Sequence, residues 1–240
     1  MPGLYKDEGV VLNTIKLGEA DRIVTVFARS TGKVRAVAKG IRKTKSRFGA
    51  RLEPLTRVDL MLYRGRGDLD TITSADILES FQEAKDDYSR LVCAAALAEL
   101  VDKITPDRER LIPVYSLLLG GLRALASGAG PSVVPAFAVK LLSLSGYHPQ
   151  LSLCAGCGDG AALVGFSPAF GGVVCEACWG DDDGAMRLSP QRIALLANLL
   201  ASDFGRPLGG DDLIEVTRAL RRYAEYHLER PLRSLELLAI

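Results

Sequence analysis

Four cysteines in the second half of the chain have the spacing of a metal-binding site. The segments CAGC at 154–157 and CEAC at 175–178 together form the pattern C-x2-C-x17-C-x2-C. Each C-x2-C turn brings two thiolates towards one ion, and two such turns supply the tetrahedral ligand set that zinc prefers. We therefore predict one structural zinc ion per chain, bound by Cys154, Cys157, Cys175 and Cys178. Because four thiolates leave no open coordination position, a catalytic zinc is not predicted.

Two other interpretations of the cysteines are open at this point. Two disulfides would require an oxidising compartment, whereas the N-terminal stretch MPGLYKDEGVV has acidic residues where an export signal is apolar. A redox function is typical of a single C-x2-C motif, and this chain has two such motifs. His148 is a further candidate ligand six residues before Cys154, whereas Cys93 lies in an apolar helical stretch and is predicted to be a core residue.

A run of basic residues in the first part of the chain is the second feature that indicates a function. Between Asp21 and Glu53 the chain has ten lysines and arginines and no acidic residue. Residues 1–80 carry a net charge of +5, and residues 81–240 carry −4. Period-two alternation within this run places Lys33, Arg35 and Lys39 on one face of a strand. A surface of one sign favours a polyanionic partner, and a solvated charged face is the alternative.

We predict that this basic surface binds the phosphates of a nucleic acid. Many cations with few aromatic rings favour contacts to the backbone over recognition of base sequence. Among the rings, Phe27 is predicted to lie in the core, whereas Phe48 and Tyr63 are equally compatible with core and surface. The predicted DNA-binding residues are Lys33, Arg35, Lys39, Arg42, Lys43, Lys45, Arg47, Arg51, Arg64 and Arg66.

Short β-strands must position these cations. Five segments, at 9–16, 21–29, 33–39, 56–63 and 69–78, are rich in valine, isoleucine, threonine and leucine, and glycines separate them. Five strands within about 80 residues favour a small barrel of the OB-fold type. We therefore predict an OB-fold nucleic-acid-binding domain over residues 1–80.

The remainder, residues 81–240, is predicted to be an α-helical domain, which makes the fold class α+β with two domains. Apolar residues recur at helical spacing in the segments 82–105, 109–127, 133–147, 189–202 and 211–230. A glycine- and cysteine-rich insert at about 150–185 is predicted to form a small zinc-binding module. No 18-residue segment is both uncharged and strongly apolar, so we expect a cytoplasmic protein without a membrane span.

The sequence has few residues suited to catalysis. It has two histidines, and the segment GIRKTKSRFG lacks the G-K-[ST] ending of a phosphate-binding P-loop. The acidic run at 181–183 suits either a divalent cation or a solvated turn between Gly180 and Gly184. We therefore predict a protein that is not an enzyme.

Several segments, taken in order, resemble the RecO family of bacterial recombination and repair mediators. The resemblance begins with EGVVLNTIKLGEADRIVTVFARSTGKVRAVAKGIRKTKSRFGARLEPLTRVDLMLYRGRGDLDTI, continues through LLSLSGYHP, CAGCG, FSPAFGGVVCEAC and LSPQ, and ends with RYAEYHLERPLRSLELL. The family's AKGAR pattern is AKGIR in this chain, and all four cysteines of the zinc-binding members are present. The resemblance therefore covers nearly the whole chain.

This resemblance implies a fold and a function. It implies an N-terminal OB-fold, followed by a helical domain with a zinc module. Members bind single- and double-stranded DNA and anneal complementary strands. With RecR and the C-terminal tail of SSB, they help to load RecA onto SSB-coated DNA in the bacterial cytoplasm, at the nucleoid. The chain is therefore expected to be a mediator of RecF-type gap repair, and the alternatives are a basic protein–protein adaptor and an RNA-binding zinc-ribbon protein.

Overall fold

A computed structural model describes residues 3–44, 46, 48–160, 162–201, 203–204 and 210–236, with the backbone alone for residue 236. Its contacts divide the chain into two compact units. The first unit combines Met1–Gln82 with Thr105–Leu119, and the second combines Glu83–Ile104 with Gly120–Ile240. Because Thr105–Leu119 belongs to the first unit, the domain boundary that we placed near residue 80 stays a prediction.

The first unit contains a barrel that, within the described residues, has five strands. They are β1 (Gly3–Leu17), β2 (Asp21–Ala28), β3 (Gly32–Ala38), β4 (Arg57–Arg64) and β5 (Asp70–Glu79). The strand order around the closed barrel is β1-β2-β3-β5-β4, and β1 pairs with both β2 and β4. Strands β3 and β5 pair in parallel, whereas the other neighbours pair antiparallel. This arrangement confirms the predicted OB-fold.

Strand β1 is longer than the sequence predicted because it pairs with a different neighbour at each end. Its first half pairs with β4 and its second half pairs with β2. The register shifts between Val11 and Asn13. Such a bulge bends a strand and increases its twist, which lets one strand serve both sides of a small barrel.

Alternate residues of the strands fill the barrel interior. On β3 the inward residues are Val34, Ala36 and Ala38, and the outward residues are Lys33, Arg35 and Val37. The predicted two-faced pattern of this strand is therefore confirmed. Phe48 and Leu52 join the same core from the connection between β3 and β4, which includes a single 3₁₀ turn at Gly49–Leu52.

The second unit is mainly helical, as predicted. The helices of the described chain are α1 (Gln82–Lys85), α2 (Tyr88–Ile104), α3 (Ile112–Ala126), α4 (Val133–Leu144), α5 (Glu176–Trp179), α6 (Pro190–Ala201), α7 (Gly210–Leu228) and α8 (Arg233–Glu236). The first half of α3, up to Leu119, belongs to the first unit. Helix α4 is central, since it contacts α2, α6 and α7 and buries nine of its residues. None of the helices described here is long and apolar enough to cross a bilayer.

A small antiparallel sheet interrupts the helices of the second unit. It consists of β6 (Leu163–Ser167), β7 (Gly172–Cys175) and β8 (Met186–Arg187), in the order β7-β6-β8. Gly172 allows the backbone of Gln150 to approach β7 closely, because a Cβ at position 172 would lie 2.2 Å from the Gln150 carbonyl oxygen. The sheet and its flanking turns carry the four paired cysteines.

Candidate metal centre and nucleic-acid interface

The four cysteines converge on one point in the second unit. Cys154 and Cys157 lie in the turn before β6, Cys175 ends β7, and Cys178 lies in α5. Their sulfur atoms all lie within 4.8 Å of one another. The Sγ atoms of Cys157 and Cys175 are 3.8 Å apart, which is the edge of a tetrahedron with metal–sulfur bonds of about 2.3 Å. The four side chains therefore fit a tetrathiolate metal ion.

Local backbone geometry explains why the sulfurs converge. The Cys154 amide donates to the Asp159 carbonyl, and the Gly158 amide donates back to the Cys154 carbonyl. Gly158 has a φ of +77°, a conformation that glycine adopts without steric cost. A Cβ on Gly156 would lie 3.0 Å from the Sγ atom of Cys178, so a larger residue there would crowd the cluster.

The electrostatics of the cluster favour one ionised thiol, and a bound cation would favour ionisation of the others. Burial opposes ionisation of Cys154, but the amides of Cys157, Cys175 and Gly156 outweigh it and lower the pKa of Cys154 to about 6. Burial and the neighbouring sulfurs raise the pKa of Cys178 to about 12. A bound metal ion supplies the positive charge that lets the remaining thiols ionise together.

Other candidate ligands have different surroundings. Among the residues that the structure describes, the metal-ligating cluster consists of the four paired cysteines, and all five cysteines are free of disulfides. His148 Nδ1 lies 2.7 Å from the Ser143 hydroxyl. Cys93 is buried in α2, and burial raises its pKa to about 11. In the acidic run, Asp182 accepts a hydrogen bond from the Ser167 hydroxyl at 2.5 Å, which favours the turn over a cation site.

The predicted DNA-binding cations fall into distinct groups in the structure. Those exposed on the first unit are Arg35, Lys39, Arg42, Lys43, Arg51 and Arg66. Arg51 lies 3.9 Å from the Asp76 carboxylate. Arg64 is half-buried, with its guanidinium carbon 5.2 Å from the centre of the Tyr5 ring. Lys45 and Arg47 lie outside the described residues.

The turn that follows β3 holds its cations against the turn between β1 and β2. The Gly40 amide donates to the Asp21 carboxylate at 2.7 Å, and the Arg42 amide donates to the Ala20 carbonyl at 3.0 Å. The Arg42 guanidinium also donates to the Gly18 carbonyl at 3.1 Å. This part of the basic run is therefore an anchored turn and not a free linker.

Lys33 lies in a different environment from the one expected of a phosphate contact. It is 9% exposed. Its Nζ atom donates to the Thr105 carbonyl at 2.7 Å and lies 3.3 Å from the Asp107 carboxylate. The Arg108 amide in turn donates to the Lys33 carbonyl. Because its ammonium group is bound within the first unit, Lys33 is left out of the interface proposed from this structure.

The residues around Lys33 are overlaid by Thr105–Leu119, which we call the covering segment. Phe27 is fully buried, with its ring centre 6.5 Å from that of Tyr115. A Cβ on Gly32 would lie 1.8 Å from the carbonyl oxygen of Glu109, so the two backbones touch. The position of this segment over β2 and β3 was not predicted from the sequence. The one signal of it in the sequence was Phe27, an apolar ring at an outward position of β2.

A buried carboxylate further fixes the covering segment. Asp70 is fully buried and accepts hydrogen bonds from the Arg108 guanidinium at 3.0 Å and the Tyr5 hydroxyl at 2.5 Å. Burial and the Asp70 carboxylate raise the pKa of Tyr5. Arg108 also donates to the Asp68 carbonyl in the turn between β4 and β5. This turn carries Arg66, so the network positions one edge of the exposed cationic surface.

Comparisons with known proteins agree with the resemblance seen in the sequence. Residues 1–81 match the family described as Recombination protein O N terminal, and residues 85–236 match Recombination protein O C terminal. Proteins named DNA repair protein RecO from Frankia casuarinae and Nocardioides sp. are 45% and 42% identical to this chain over 241 residues. The alignments cover 98% and 97% of this chain and 98% of each relative. A protein of the same name from Bifidobacterium longum subsp. infantis is 45% identical over 240 residues, covering 98% of each chain.

Proposed function

The chain belongs to the Recombination protein O family, and we propose that it acts as a non-enzymatic, DNA-binding mediator of recombination in gap repair. One observation carries the proposal, namely the exposed cationic surface of β3 and the turn after it. This surface includes Arg35, Lys39, Arg42 and Lys43, all exposed, and no acidic residue occurs between Asp21 and Glu53. We therefore propose that it binds the DNA backbone through its charge.

Phosphate binding by this surface makes the affinity sensitive to salt. Each neutralised phosphate releases condensed counterions, which lowers the logarithm of the binding constant as the logarithm of salt concentration rises. With about five phosphate contacts, the slope is roughly −4.5 on duplex DNA and roughly −3.5 on single strands. The sequence of the DNA has little effect, because phosphates carry no sequence information.

We further propose that the protein anneals complementary strands. A surface that neutralises phosphates reduces the repulsion between two strands that approach each other on it. The family resemblance extends the proposal to its partners, which are RecR, the C-terminal tail of SSB and, indirectly, RecA. It also extends to a cytoplasmic location at the bacterial nucleoid.

We propose that the cysteine cluster holds one zinc ion in a structural role. Four thiolates at tetrahedral spacing suit zinc, and they leave no position for a substrate. Since the ligands come from one turn, a strand end and a short helix, the ion would link these elements within the second unit. Bound zinc would supply positive charge to the thiolates and no reaction chemistry.

A triple charge reversal tests the DNA-binding proposal. Lys39→Glu, Arg42→Glu and Lys43→Glu together are expected to weaken binding to all DNA sequences alike and to flatten the salt dependence. The matched control is Arg222→Glu, Arg230→Glu and Arg233→Glu, which changes the net charge equally on exposed residues of the second unit. Equal losses in both variants, or an unchanged slope in the first, would contradict the proposed surface.

An annealing assay tests the mediator proposal against the alternatives. Labelled complementary oligonucleotides are mixed with the protein, with and without SSB. Annealing that continues in the presence of SSB is the expected result. DNA binding without annealing would indicate a passive binding module, and no binding would favour a protein–protein adaptor.

A further inference from the structure

The short helix that carries Cys178 is held at both ends by one arginine from another element. Arg187 of β8 donates two hydrogen bonds to the Glu176 carboxylate, each 2.6 Å long. Its guanidinium carbon also lies 4.2 Å from the centre of the Trp179 ring. Glu176 and Trp179 are the first and last residues of α5, and Cys178 lies between them. Arg187 therefore contacts both ends of the helix that presents a metal ligand.

Helix α5 depends on contacts of this kind because it is a single turn. It consists of the four residues Glu176–Trp179. An isolated helix shorter than about 12 residues is marginal in water, since the first turn fixes several backbone dihedrals for one hydrogen bond. The position of Cys178 relative to the other ligands is therefore determined by what packs against α5 from outside.

The small sheet fixes the position from which Arg187 acts. Arg187 is the cross-strand partner of Gly165 on β6, and its neighbour Met186 is buried. Gly165 also makes room for the indole ring, because a Cβ at this position would lie 2.8 Å from Cδ1 of Trp179. The side chains of Arg187 and Trp179 therefore meet beside a strand position that has no side chain of its own.

Trp179 connects this arrangement to the metal ligands. Its side chain and that of Cys178 pack against the buried cluster formed by Cys154, Val174 and Cys175. The indole nitrogen is buried without a hydrogen-bond partner among the described residues. Burial of an unpaired donor has a cost in free energy. Packing against its neighbours, and not a hydrogen bond, therefore holds the ring beside the ligands.

A second exposed ion pair of the same unit provides a comparison. Arg218 donates to the Glu215 carboxylate at 2.6 Å, and its side chain is 47% exposed, against 52% for that of Arg187. Exposed pairs of this kind contribute little to stability by themselves. The Arg218 pair joins two residues one turn apart on α7. Arg187 instead joins β8 to the metal-binding helix, through a planar two-bond contact and a stacked ring.

We propose that Arg187 is a positioning residue for the metal centre, which holds Glu176 and Trp179 so that Cys178 is in place before the ion binds. This inference rests on the proposed zinc site and goes beyond it, because the ligands alone do not determine how tightly the ion is held. A ligand that is ordered in advance loses less conformational entropy on binding. Residues outside the ligand set raise metal affinity in this way.

The zinc affinity of the full-length protein, measured by competition with a chromogenic chelator, tests the proposal. Arg187→Ala is expected to weaken zinc binding about tenfold, at the lower end of the range for residues that support metal ligands. Arg187→Lys should restore only part of the affinity, since lysine keeps the charge but lacks the planar fork of donors. Arg218→Ala is the matched control and should bind zinc as tightly as the wild-type protein.

A double variant tests whether Arg187 acts through Glu176. Glu176→Gln is expected to weaken zinc binding by a smaller factor than Arg187→Ala, and to have no further effect when Arg187→Ala is already present. Glu215→Gln is the control for the loss of a paired carboxylate and should leave the zinc affinity unchanged. Fully additive effects of the substitutions at 176 and 187 would overturn the proposal.

Two further results would also overturn it. One is a zinc affinity of Arg187→Ala equal to that of Arg218→Ala. The other is an Arg187→Ala protein that is less stable to urea but binds zinc as the wild-type protein does, because this would show a general structural role. If Arg187→Ala does not fold, wild-type zinc affinity in both Arg187→Lys and Glu176→Gln would have the same meaning. If the wild-type protein bound no zinc, the proposed zinc site itself would fail.

Discussion

The outer face of the barrel has two halves that share strands β2 and β3 but have opposite surroundings. In the covered half, Phe27 and Lys33 lie beneath the covering segment and are buried. In the open half, Ile23 and Val37 are partly exposed and Lys39 is exposed. Strand alternation determines which side chains point outward. It does not determine which of them a later part of the chain will cover.

Lys33 and Lys39 illustrate this difference within one basic run. Both lie on the outward side of the β3 region, and the sequence offers no local reason to separate them. Lys33 donates to a carbonyl 72 residues further along the chain, whereas Lys39 is exposed. One lysine therefore stabilises the first unit, and we propose that the other binds DNA.

Removal of the metal is expected to have the largest effect. It also tests whether the open half binds DNA without the metal centre of the second unit. Chelation or Cys154→Ser should abolish a content of about one zinc ion per chain and unfold the module. Trp179 is the only tryptophan and lies beside Cys178, so its fluorescence reports the change. DNA affinity should persist, because the proposed contacts lie in the first unit.

Cys93→Ala is the control for metal removal, since this buried cysteine lies outside the cluster. It should keep the full metal content even if it lowers stability. A chain that keeps its fold and its fluorescence without metal would contradict the structural role. Loss of DNA binding on metal removal would show that the open half does not act alone.

Gly32→Ala is expected to have the next largest effect, in the covered half. Its Cβ would lie 1.8 Å from the Glu109 carbonyl oxygen, and its φ is +71°. Backbone cannot move aside as a side chain can, so we expect a loss of at least about 3 kcal/mol in the free energy of unfolding. Gly18→Ala is the control, because Gly18 has a φ of +57° and open space around it. It should cost only about 1–2 kcal/mol. Equal losses in urea denaturation would show that the covering segment does not pack as described.

Lys33→Met is expected to have a smaller effect on stability. It leaves the buried Thr105 carbonyl without this donor, which should cost about 1–3 kcal/mol. Lys39→Met removes an equal charge from an exposed position and should change the free energy of unfolding by less than about 0.5 kcal/mol. Urea denaturation of both variants checks this. A Lys33→Met protein more stable than the wild type would contradict this expectation. It would show that the cost of burying the ammonium charge exceeds the stabilisation from its hydrogen bond.

The sequence predicted those features that depend on neighbours along the chain. The two cysteines of each pair converge because they are only three residues apart, and the five strands follow from short alternating segments separated by glycine. The covering segment was not predictable in this way, because its contacts with Phe27, Gly32 and Lys33 join residues distant in sequence. The extended β1 was missed for the same reason, since its first half is stabilised by β4.

The positive charge of the candidate interface could be predicted from the sequence, but the set of residues that form the interface could not. Its cations follow from the acid-free run, whereas the burial of Lys33 depends on Thr105 and Asp107. Phe48 lies in the barrel core and Tyr63 on its surface, and only the fold separates these two rings.

The salt dependence of DNA binding by Lys33→Met and Lys39→Met tests the central claim most directly. The duplex affinity of each variant and of the wild-type protein is measured over a series of salt concentrations. Loss of one phosphate contact should reduce the slope by about 0.9, and we predict this change for Lys39→Met. The slope for Lys33→Met should equal that of the wild-type protein. Equal slopes for all three proteins, or a reduced slope for Lys33→Met alone, would contradict the division into covered and open halves.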